Sequence, residues 1–165
     1  MIVIKNILVA TDFSDVSAAA LSYGRTLAEQ FAATLRLVHV VEDVSTMSFT
    51  ADGFVTLMPE LQKELQEAAH TQLQAALAQG QWRGPRPLAS VITSNARAAA
   101  IIDFAKNAHV DLIVIGTHGR GGMSRLLLGS VAERVVRTAP CPVLTVHDPE
   151  HEFVQSDAPP AGAAA

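Results

Sequence analysis

Short apolar stretches alternate with longer amphipathic stretches along this chain. The apolar stretches are rich in valine, isoleucine and leucine and are bounded by polar or turn-forming residues, which is typical of strands buried on both faces of a parallel sheet. Strands are predicted at residues 2–10, 35–41, 88–93, 112–115 and 143–146. The last of them follows Pro140-Cys141-Pro142, a sequence that forces the chain into an extended conformation.

Between these strands the apolar residues recur at helical spacing. The first helix is predicted over residues 14–33 with Ser14 as its cap, and the second from Pro59 to Gln79, closed by Gly80. The positions expected to face the core in these two helices are Ala18, Leu21, Ala28 and Phe31, then Leu61, Leu65, Leu73 and Leu77.

Two further helices follow the third and fourth strands. Ser94 and Asn95 are expected to cap the third helix, and Ser130 with Glu133 forms a Ser-x-x-Glu capping box for the fourth. Their expected core positions are Ala98, Ile101, Ile102 and Ala105, then Ala132, Val135, Val136 and Ala139. The strict strand-helix alternation predicts an α/β fold, with an open five-stranded parallel sheet and helices on both faces.

Two segments lack any such periodicity. Residues 43–58 mix small polar and scattered apolar residues, which indicates a long loop or a lid over the strand ends. Residues 148–165 are acidic, rich in alanine and proline, and without lysine or arginine, so this tail is expected to be disordered. The predicted folded domain therefore covers residues 1–147.

Composition narrows the possible functions. With 49% hydrophobic and 17% charged residues, the chain can bury a core without metals or disulfides. A net charge of -4 and a pI near 5.8 argue against general nucleic-acid binding. The apolar runs are too short for membrane insertion, no export signal is evident, and the single cysteine suits a reducing compartment, so a cytoplasmic location is expected.

The stretch from Gly116 to Gly129 holds five of the ten glycines. It follows a strand and precedes a helix, so it offers backbone N–H groups and the positive end of a helix dipole, which together suit phosphate. The surrounding arginines make it locally basic. It lacks the lysine of a P-loop, and the first turn lacks the glycines of a dinucleotide fingerprint. A tight turn is the plainer alternative for these glycines.

A second candidate element is the turn after the first strand, Thr11-Asp12. Asp12 either contacts a ligand or caps the first helix, and because Ser14 can already serve as the cap, the ligand role is favoured. If the first and fourth strands are neighbours, this turn faces the glycine loop across one crevice. His39 is interpreted as a hydrogen-bonded core residue, while His118 and Cys141 are assigned no chemistry.

Several separated motifs occur here in a particular order. They are the ATDFS turn, the loop GTHGRGG, the spacing Gly-x-x-Gly, nine residues, Gly-Ser, and the closing PCPVLTV. Together they resemble the universal stress protein family over residues 3–147. The resemblance implies a Rossmann-like fold related to the adenine nucleotide alpha-hydrolases, with strand order 3-2-1-4-5. Ser94-Asn95-Ala96 departs from the glycine and proline that many members carry at that place.

The resemblance also implies a nucleotide site. The family pattern assigns the phosphates to Gly116, Gly119, Gly129 and Ser130, with Arg120 and Val131 lining the site. Asp12, with Thr11 beside it, corresponds to the aspartate that contacts the sugar and phosphate side, and the backbone at Val40 corresponds to the segment that reads adenine. The implied ligand is ATP with Mg²⁺ or Mn²⁺, and no catalytic or metal-ligating side chain is assigned.

The sequence thus indicates an ATP-binding, nucleotide-responsive stress or regulatory module. No nucleophile with a paired base is evident, so at most slow ATP hydrolysis is expected. The alternatives are an enzyme that acts at the α-phosphate of an adenine nucleotide, and an interaction protein with a vestigial pocket. The last strand is expected to form a sheet edge, which predicts a homodimer through Val143, Leu144, Thr145 and Val146, as the family resemblance also implies.

Overall fold

The computed structural model describes residues 2–45, 58–117 and 128–147. Strands and helices alternate through these residues as the sequence predicts. The elements are β1 (Asn6–Ala10), α1 (Asp15–Gln30), β2 (Thr34–Val41), α2 (Met58–Ala78), β3 (Leu88–Thr93), α3 (Arg97–Asn107), β4 (Leu112–Gly116), α4 (Ser130–Thr138) and β5 (Val143–Val146). Most of the predicted loop at 43–58 and the whole predicted tail lie outside the described residues.

The strands form one five-stranded sheet in the order β3-β2-β1-β4-β5, and all the pairings are parallel. The predicted fold class and strand order are confirmed. In the central strand, Ile7 is level with Leu35 of β2 on one side and with Leu112 of β4 on the other. From β1 the chain adds β2 and β3 on one side of the sheet, and it then adds β4 and β5 on the other side. This reversal of strand order between β1 and β4 opens a crevice beyond their carboxyl ends.

Two apolar layers cover the sheet, one on each face. Alternate residues of the central strands point to opposite faces, so Ile7 and Val9 of β1 pack beneath α1 and α2, whereas Leu8 and Ala10 pack beneath α3 and α4. The predicted core positions of α3 are all buried. They are Ala98, Ile101, Ile102 and Ala105.

The beginning of the first strand was predicted wrongly. Ile2 and Val3 are 79% and 61% exposed, and the ladder begins only where Asn6 pairs with Thr34. The backbone N–H groups of Lys5 and Asn6 both donate to the carboxylate of Asp111, at 2.7 and 2.9 Å. Ile2 and Val3 therefore lie before the first pair of the ladder and are not part of the strand, although β-branched residues favour strands.

Helix α1 begins as predicted, with Ser14 accepting a hydrogen bond from the Ser17 N–H, but it ends at Gln30. Ala18 and Phe31 are exposed, which contradicts their expected core positions. The helix packs through a line of small residues that includes Gly24, where an added Cβ would lie 2.3 Å from Val9 Cγ2. The buried face of α1 runs through Ser17, Ala20 and Gly24, and Ala18 lies outside it.

Helix α2 ends at Ala78, and Gly80 follows with a φ of +78°, as a helix-closing glycine does. Its buried residues are Ala69 and Leu73. Leu61 and Leu65, expected in the core, are 41% and 37% exposed. The sheet therefore covers only the later part of this helix.

Both later capping predictions are wrong in detail. The residue preceding α3 is Ala96, and no side chain caps that helix. Helix α4 is preceded by Gly129 with no side-chain cap, so Ser130 is its first helical residue. Glu133 forms an ion pair with Arg137 at 3.0 Å instead of completing a capping box. Val136, another expected core residue, is 45% exposed.

Candidate functional site

A cavity of about 710 Å³ opens at the carboxyl ends of β1, β2 and β4. Its size lies within the range of roughly 300–1,000 Å³ typical of small-molecule sites. Most of the residues that the sequence singled out line it together. These are Thr11, Asp12, Val40, Gly116, Gly129, Ser130 and Val131. Gly119 and Arg120 lie outside the described residues.

The turn after β1 is held by its own side chains. Thr11 Oγ1 accepts a hydrogen bond from the Phe13 N–H at 3.0 Å, and Asp12 Oδ1 accepts from the Ser14 N–H at 3.1 Å and from the Ser14 hydroxyl at 2.5 Å. Phe13 has a φ of 64°, a left-handed conformation that is uncommon for a bulky residue. The carboxylate of Asp12 is thus fixed at the cavity wall.

His39 ties this turn to β2. Its Nδ1 atom lies 2.7 Å from the carbonyl oxygen of Thr11, and its ring packs against Phe13 with centroids 4.4 Å apart. The hydrogen bond agrees with the interpretation of His39 as a satisfied residue, although the side chain is half-buried and also lines the cavity. At the end of β1, the Thr11 carbonyl is therefore bonded to the His39 side chain and not to the backbone of a neighbouring strand.

The backbone of Val40 faces the crevice. The Val38 carbonyl accepts from the Thr11 N–H toward β1, whereas the Val41 carbonyl accepts from the Ser94 N–H toward β3, both at 2.9 Å. Because the backbone groups of successive strand residues point to alternate sides, those of Val40 point toward the β1 side. β1 ends level with Val38, so the Val40 N–H and C=O reach the space beyond it.

The fourth strand and α4 meet at Thr117, a fully buried residue that the sequence reasoning missed. Its N–H donates to the Val146 carbonyl at 2.8 Å, its carbonyl accepts from the Gly129 N–H at 2.7 Å, and its hydroxyl lies 2.9 Å from His147 Nδ1. These bonds bring Gly129 next to the end of β4 and so fix the amino end of α4 at the crevice. In the sequence, the feature that could have indicated this role is the position of Thr117, a polar residue directly after an apolar strand.

Gly116 has a packing role that its sequence context did not reveal. A Cβ added there would lie 2.8 Å from Val16 Cγ1 and 3.3 Å from the Val16 backbone carbonyl. The residue therefore lets α1 approach the end of β4 closely while it also lines the cavity. Gly129 differs, because its φ of −60° and ψ of 148° are open to any residue.

Charged residues at the other side of the cavity also escaped the sequence reasoning. Arg97, at the start of α3, lies 4.0 Å from Glu42, and both side chains are more than half exposed. Both residues line the cavity, together with Val44 and Leu65. In the sequence they resemble ordinary surface residues, and only the fold brings them to the crevice.

The described part of the chain contains no cluster of three or more histidine, cysteine, aspartate or glutamate residues that could hold a metal ion. Among the helices of the described residues there is no candidate for a membrane-spanning segment.

Known proteins resemble this chain both in sequence and in fold. The sequence profile of the universal stress protein family matches residues 4–147. The universal stress protein MJ0531 of Methanocaldococcus jannaschii is 35% identical over 148 residues, which cover 90% of this chain and 85% of the relative. The solved structure of the M. jannaschii protein MJ0577 superposes with a TM-score of 0.74 at 25% identity and covers 91% of this chain and 100% of its own.

Two more distant structures share the fold and were solved with nucleotides. A universal stress protein in complex with cAMP has a TM-score of 0.58 at 24% identity, with 88% of this chain and 99% of that chain covered. The universal stress protein of Archaeoglobus fulgidus in complex with dAMP has a TM-score of 0.54 at 20% identity, with the same coverage of 88% and 99%.

Proposed function

This chain belongs to the universal stress protein family, and we propose that it is a cytoplasmic, nucleotide-responsive stress or regulatory module that binds ATP in the crevice between β1 and β4. The observation that carries this proposal is the convergence of three elements on one cavity: the Asp12 turn, the Val40 backbone and the amino end of α4. The related proteins solved with cAMP and dAMP support an adenine nucleotide as the ligand.

The adenine is bound at the carboxyl end of β2. Its Watson–Crick edge carries a donor beside an acceptor, and the backbone N–H and C=O of Val40 form the complementary pair. Guanine carries the opposite arrangement at the same positions, so this contact favours adenine. Val40 had no side-chain signature in the sequence, and its assignment gains support from the direction of its backbone groups toward the crevice.

The sugar and phosphates extend from there toward β4. Asp12 and Thr11 contact the sugar side. The first N–H groups of α4, at Ser130 and Val131, and the positive end of its dipole face the phosphates. Ser130 is the first residue of α4 and lines the crevice, so its hydroxyl is a further donor for a phosphate oxygen. Gly119 and Arg120 complete the phosphate site by the family pattern alone. Mg²⁺ or Mn²⁺ would accompany ATP and offset the charge of its phosphates.

The described cavity residues provide little for efficient catalysis. The hydroxyls of Thr11 and Ser17 lie 3.0 Å apart, but Ser17 also donates to the Ser14 carbonyl, and no histidine or carboxylate contact to either hydroxyl is seen in the described residues. ATP hydrolysis is therefore slow at most. An enzyme that acts at the α-phosphate would release a modified AMP product, whereas a protein with a vestigial pocket would bind no nucleotide at all.

Thermal denaturation tests the binding proposal. ATP with Mg²⁺ raises the melting temperature of the full chain because a ligand that binds only the folded state stabilises it by mass action. Gly119→Val removes this shift. A melting temperature that stays constant up to millimolar ATP refutes the proposal, and a full shift in Gly119→Val refutes the assigned loop. Product analysis with labelled ATP separates a binding module from an α-phosphate enzyme.

We also propose a homodimer through β5 of each chain. β5 is an edge strand with half-buried residues Val143, Leu144 and Thr145. The Pro142 and Val146 carbonyls accept hydrogen bonds from Ile113 and Thr117, so even-numbered residues bond to β4. The backbone groups of Val143 and Thr145 therefore point outward, where a second copy pairs in antiparallel fashion.

Sedimentation of single-residue variants tests the dimer. Thr145→Pro removes an outward N–H without removing a donor to β4, so it gives a monomer, whereas Thr145→Val keeps the N–H and stays dimeric. Truncation after His147 leaves the dimer intact. A full-length chain that sediments as a monomer at micromolar concentration contradicts the proposal.

A further inference from the structure

We propose that Asn95 is a positioning residue that holds the base end of the crevice in shape and thereby strengthens the preference for adenine. The inference rests on the proposed nucleotide site, but its structural part concerns the protein without ligand. Asn95 stands between β3 and α3, and the sequence suggested only a helix cap for it. The structure assigns it a different partner.

That partner is the backbone of Asp43, a residue far away in sequence. Asn95 Oδ1 accepts a hydrogen bond from the Asp43 N–H at 2.9 Å, and Asn95 Nδ2 donates to the Asp43 carbonyl at 3.2 Å. A carboxamide offers one acceptor beside one donor, so it can satisfy both backbone groups of a single residue. Alanine offers neither. The side chain thus joins the segment after β3 to the segment after β2.

The joined segment forms a wall of the cavity. Glu42 and Val44, on either side of Asp43, both line it. The Val44 N–H also donates to Gln62 Oε1 of α2 at 2.9 Å, so the segment is anchored from two sides. Upstream of Glu42, the Val41 carbonyl is already bound by Ser94. Asn95 therefore fixes the chain just beyond the Val40 backbone, which faces the crevice.

The two hydrogen bonds to Asp43 act on the base end. The wall formed by Glu42 and Val44 follows β2, whereas the proposed phosphate groups lie at the amino end of α4, where Asn95 also borders a smaller cavity with Ser130 and Val131. Loss of the two hydrogen bonds lets the wall move relative to Val40, which weakens contacts to the base and relaxes the choice between adenine and guanine. Binding of a phosphate chain without a base does not depend on this wall.

Hydrogen exchange of the ligand-free protein tests the structural part. In Asn95→Ala the Asp43 amide exchanges faster than in the unchanged protein, because it has lost its acceptor. Asn107→Ala, the same chemical change at the other end of α3, leaves the Asp43 amide unchanged. An Asp43 amide with equal protection in Asn95→Ala and the unchanged chain overturns the inference, whatever the protein binds.

Calorimetric titration with ATP, GTP and tripolyphosphate tests the functional part. Asn95→Ala weakens ATP binding by roughly three- to tenfold, the effect of about one net hydrogen bond. It lowers the ratio of ATP to GTP affinity and leaves tripolyphosphate affinity unchanged, and Asn107→Ala alters none of the three. Asn95→Asp retains the acceptor for the Asp43 N–H but places a carboxylate oxygen against the Asp43 carbonyl, so it does not restore ATP affinity. An unchanged ATP to GTP ratio, or an equal loss for tripolyphosphate, overturns the positioning role. Failure of the unchanged chain to bind ATP would instead refute the proposed function.

Discussion

Gly116 faces Val16 so closely that a Cβ atom on Gly116 would lie 2.8 Å from Val16 Cγ1 and 3.3 Å from the Val16 carbonyl carbon. The side-chain atom can rotate away, but the backbone of α1 cannot yield without moving the helix. Gly116→Ala is therefore expected to lower the free energy of unfolding by about 1–3 kcal/mol, as overpacking does. Urea denaturation measures this loss. A variant as stable as the unchanged protein would show that α1 can shift at little cost.

Gly129 provides the contrasting case, because its backbone angles suit any residue. Gly129→Ser places a favoured capping residue before α4, so stability is expected to stay within about 0.5 kcal/mol or to rise. The new hydroxyl competes with a phosphate for the first N–H groups of the helix, so ATP affinity is expected to fall by about tenfold or more. Titration and urea denaturation of one preparation measure both quantities. Unchanged ATP affinity would argue against phosphate binding at this helix.

Arg25 closes the carboxyl end of α2. Its Nη2 donates to the carbonyls of Ala76 at 2.6 Å and Leu77 at 3.0 Å, and its Nη1 donates to Gln79. Partial burial lowers the pKa of Arg25, and the charge of Glu29 opposes that shift. Because a charged donor satisfies several helix-end carbonyls here, Arg25→Met is expected to cost about 1–3 kcal/mol of unfolding free energy.

The matched control for Arg25 is Arg137, whose ion pair with Glu133 is exposed to solvent, with side chains 75% and 50% accessible. Exposed pairs contribute about 0–1 kcal/mol, so Arg137→Met is expected to change stability far less than Arg25→Met. Thermal or urea unfolding of the two variants checks the difference. Equal losses would mean that the carbonyls at the end of α2 are satisfied without Arg25.

Cys141 is expected to make stability fall at alkaline pH. Burial raises the pKa of this thiol, the charge of Asp111 raises it further, and a backbone hydrogen bond with Ile113 partly opposes the rise. The folded chain therefore keeps the proton at pH values where the unfolded chain loses it. The contribution is complete below the ordinary thiol pKa of about 8.5 and decreases as pH rises from there to the raised pKa.

Unfolding free energies measured across that pH window, for the unchanged protein and for Cys141→Ser, isolate this contribution. The unchanged protein should lose stability more steeply with rising pH than the serine variant, which has no thiol to titrate. Parallel pH dependences would contradict a raised pKa for Cys141 in the folded state.

The elements that the sequence predicted well depend on local periodicity. The alternation of short apolar runs with helical patterns predicted the order of elements, and the spacing of Ala98, Ile101 and Ala105 predicted which face of α3 is buried. Motifs that matched a known family supplied the strand order. Local patterns suffice for these features because the residues that face the core recur at a fixed spacing along each helix and each strand.

Features that depend on partners distant in sequence were missed or misread. Asn95 and Ser130 both looked like helix caps, yet Asn95 bonds to Asp43, and Ser130 lies within the first turn of α4. Gly116 looked like a ligand-binding or turn glycine, because its neighbour Val16 lies a hundred positions earlier in the chain. Capping and turn residues serve several kinds of hydrogen bond, and only the fold selects among them.

The most direct test of an adenine-nucleotide site is the mapping of backbone amide shifts by nuclear magnetic resonance during titration with ATP and Mg²⁺. Saturable changes are expected, and they should be largest at the amides of Val40, Ser130 and Val131, which line the crevice. The Trp82 indole donates to the Pro85 carbonyl at 2.8 Å and does not line the crevice, so its signal should stay unchanged. Shifts that leave these three amides unaffected at saturating ATP, or an unchanged spectrum at millimolar ATP, would contradict the proposed site.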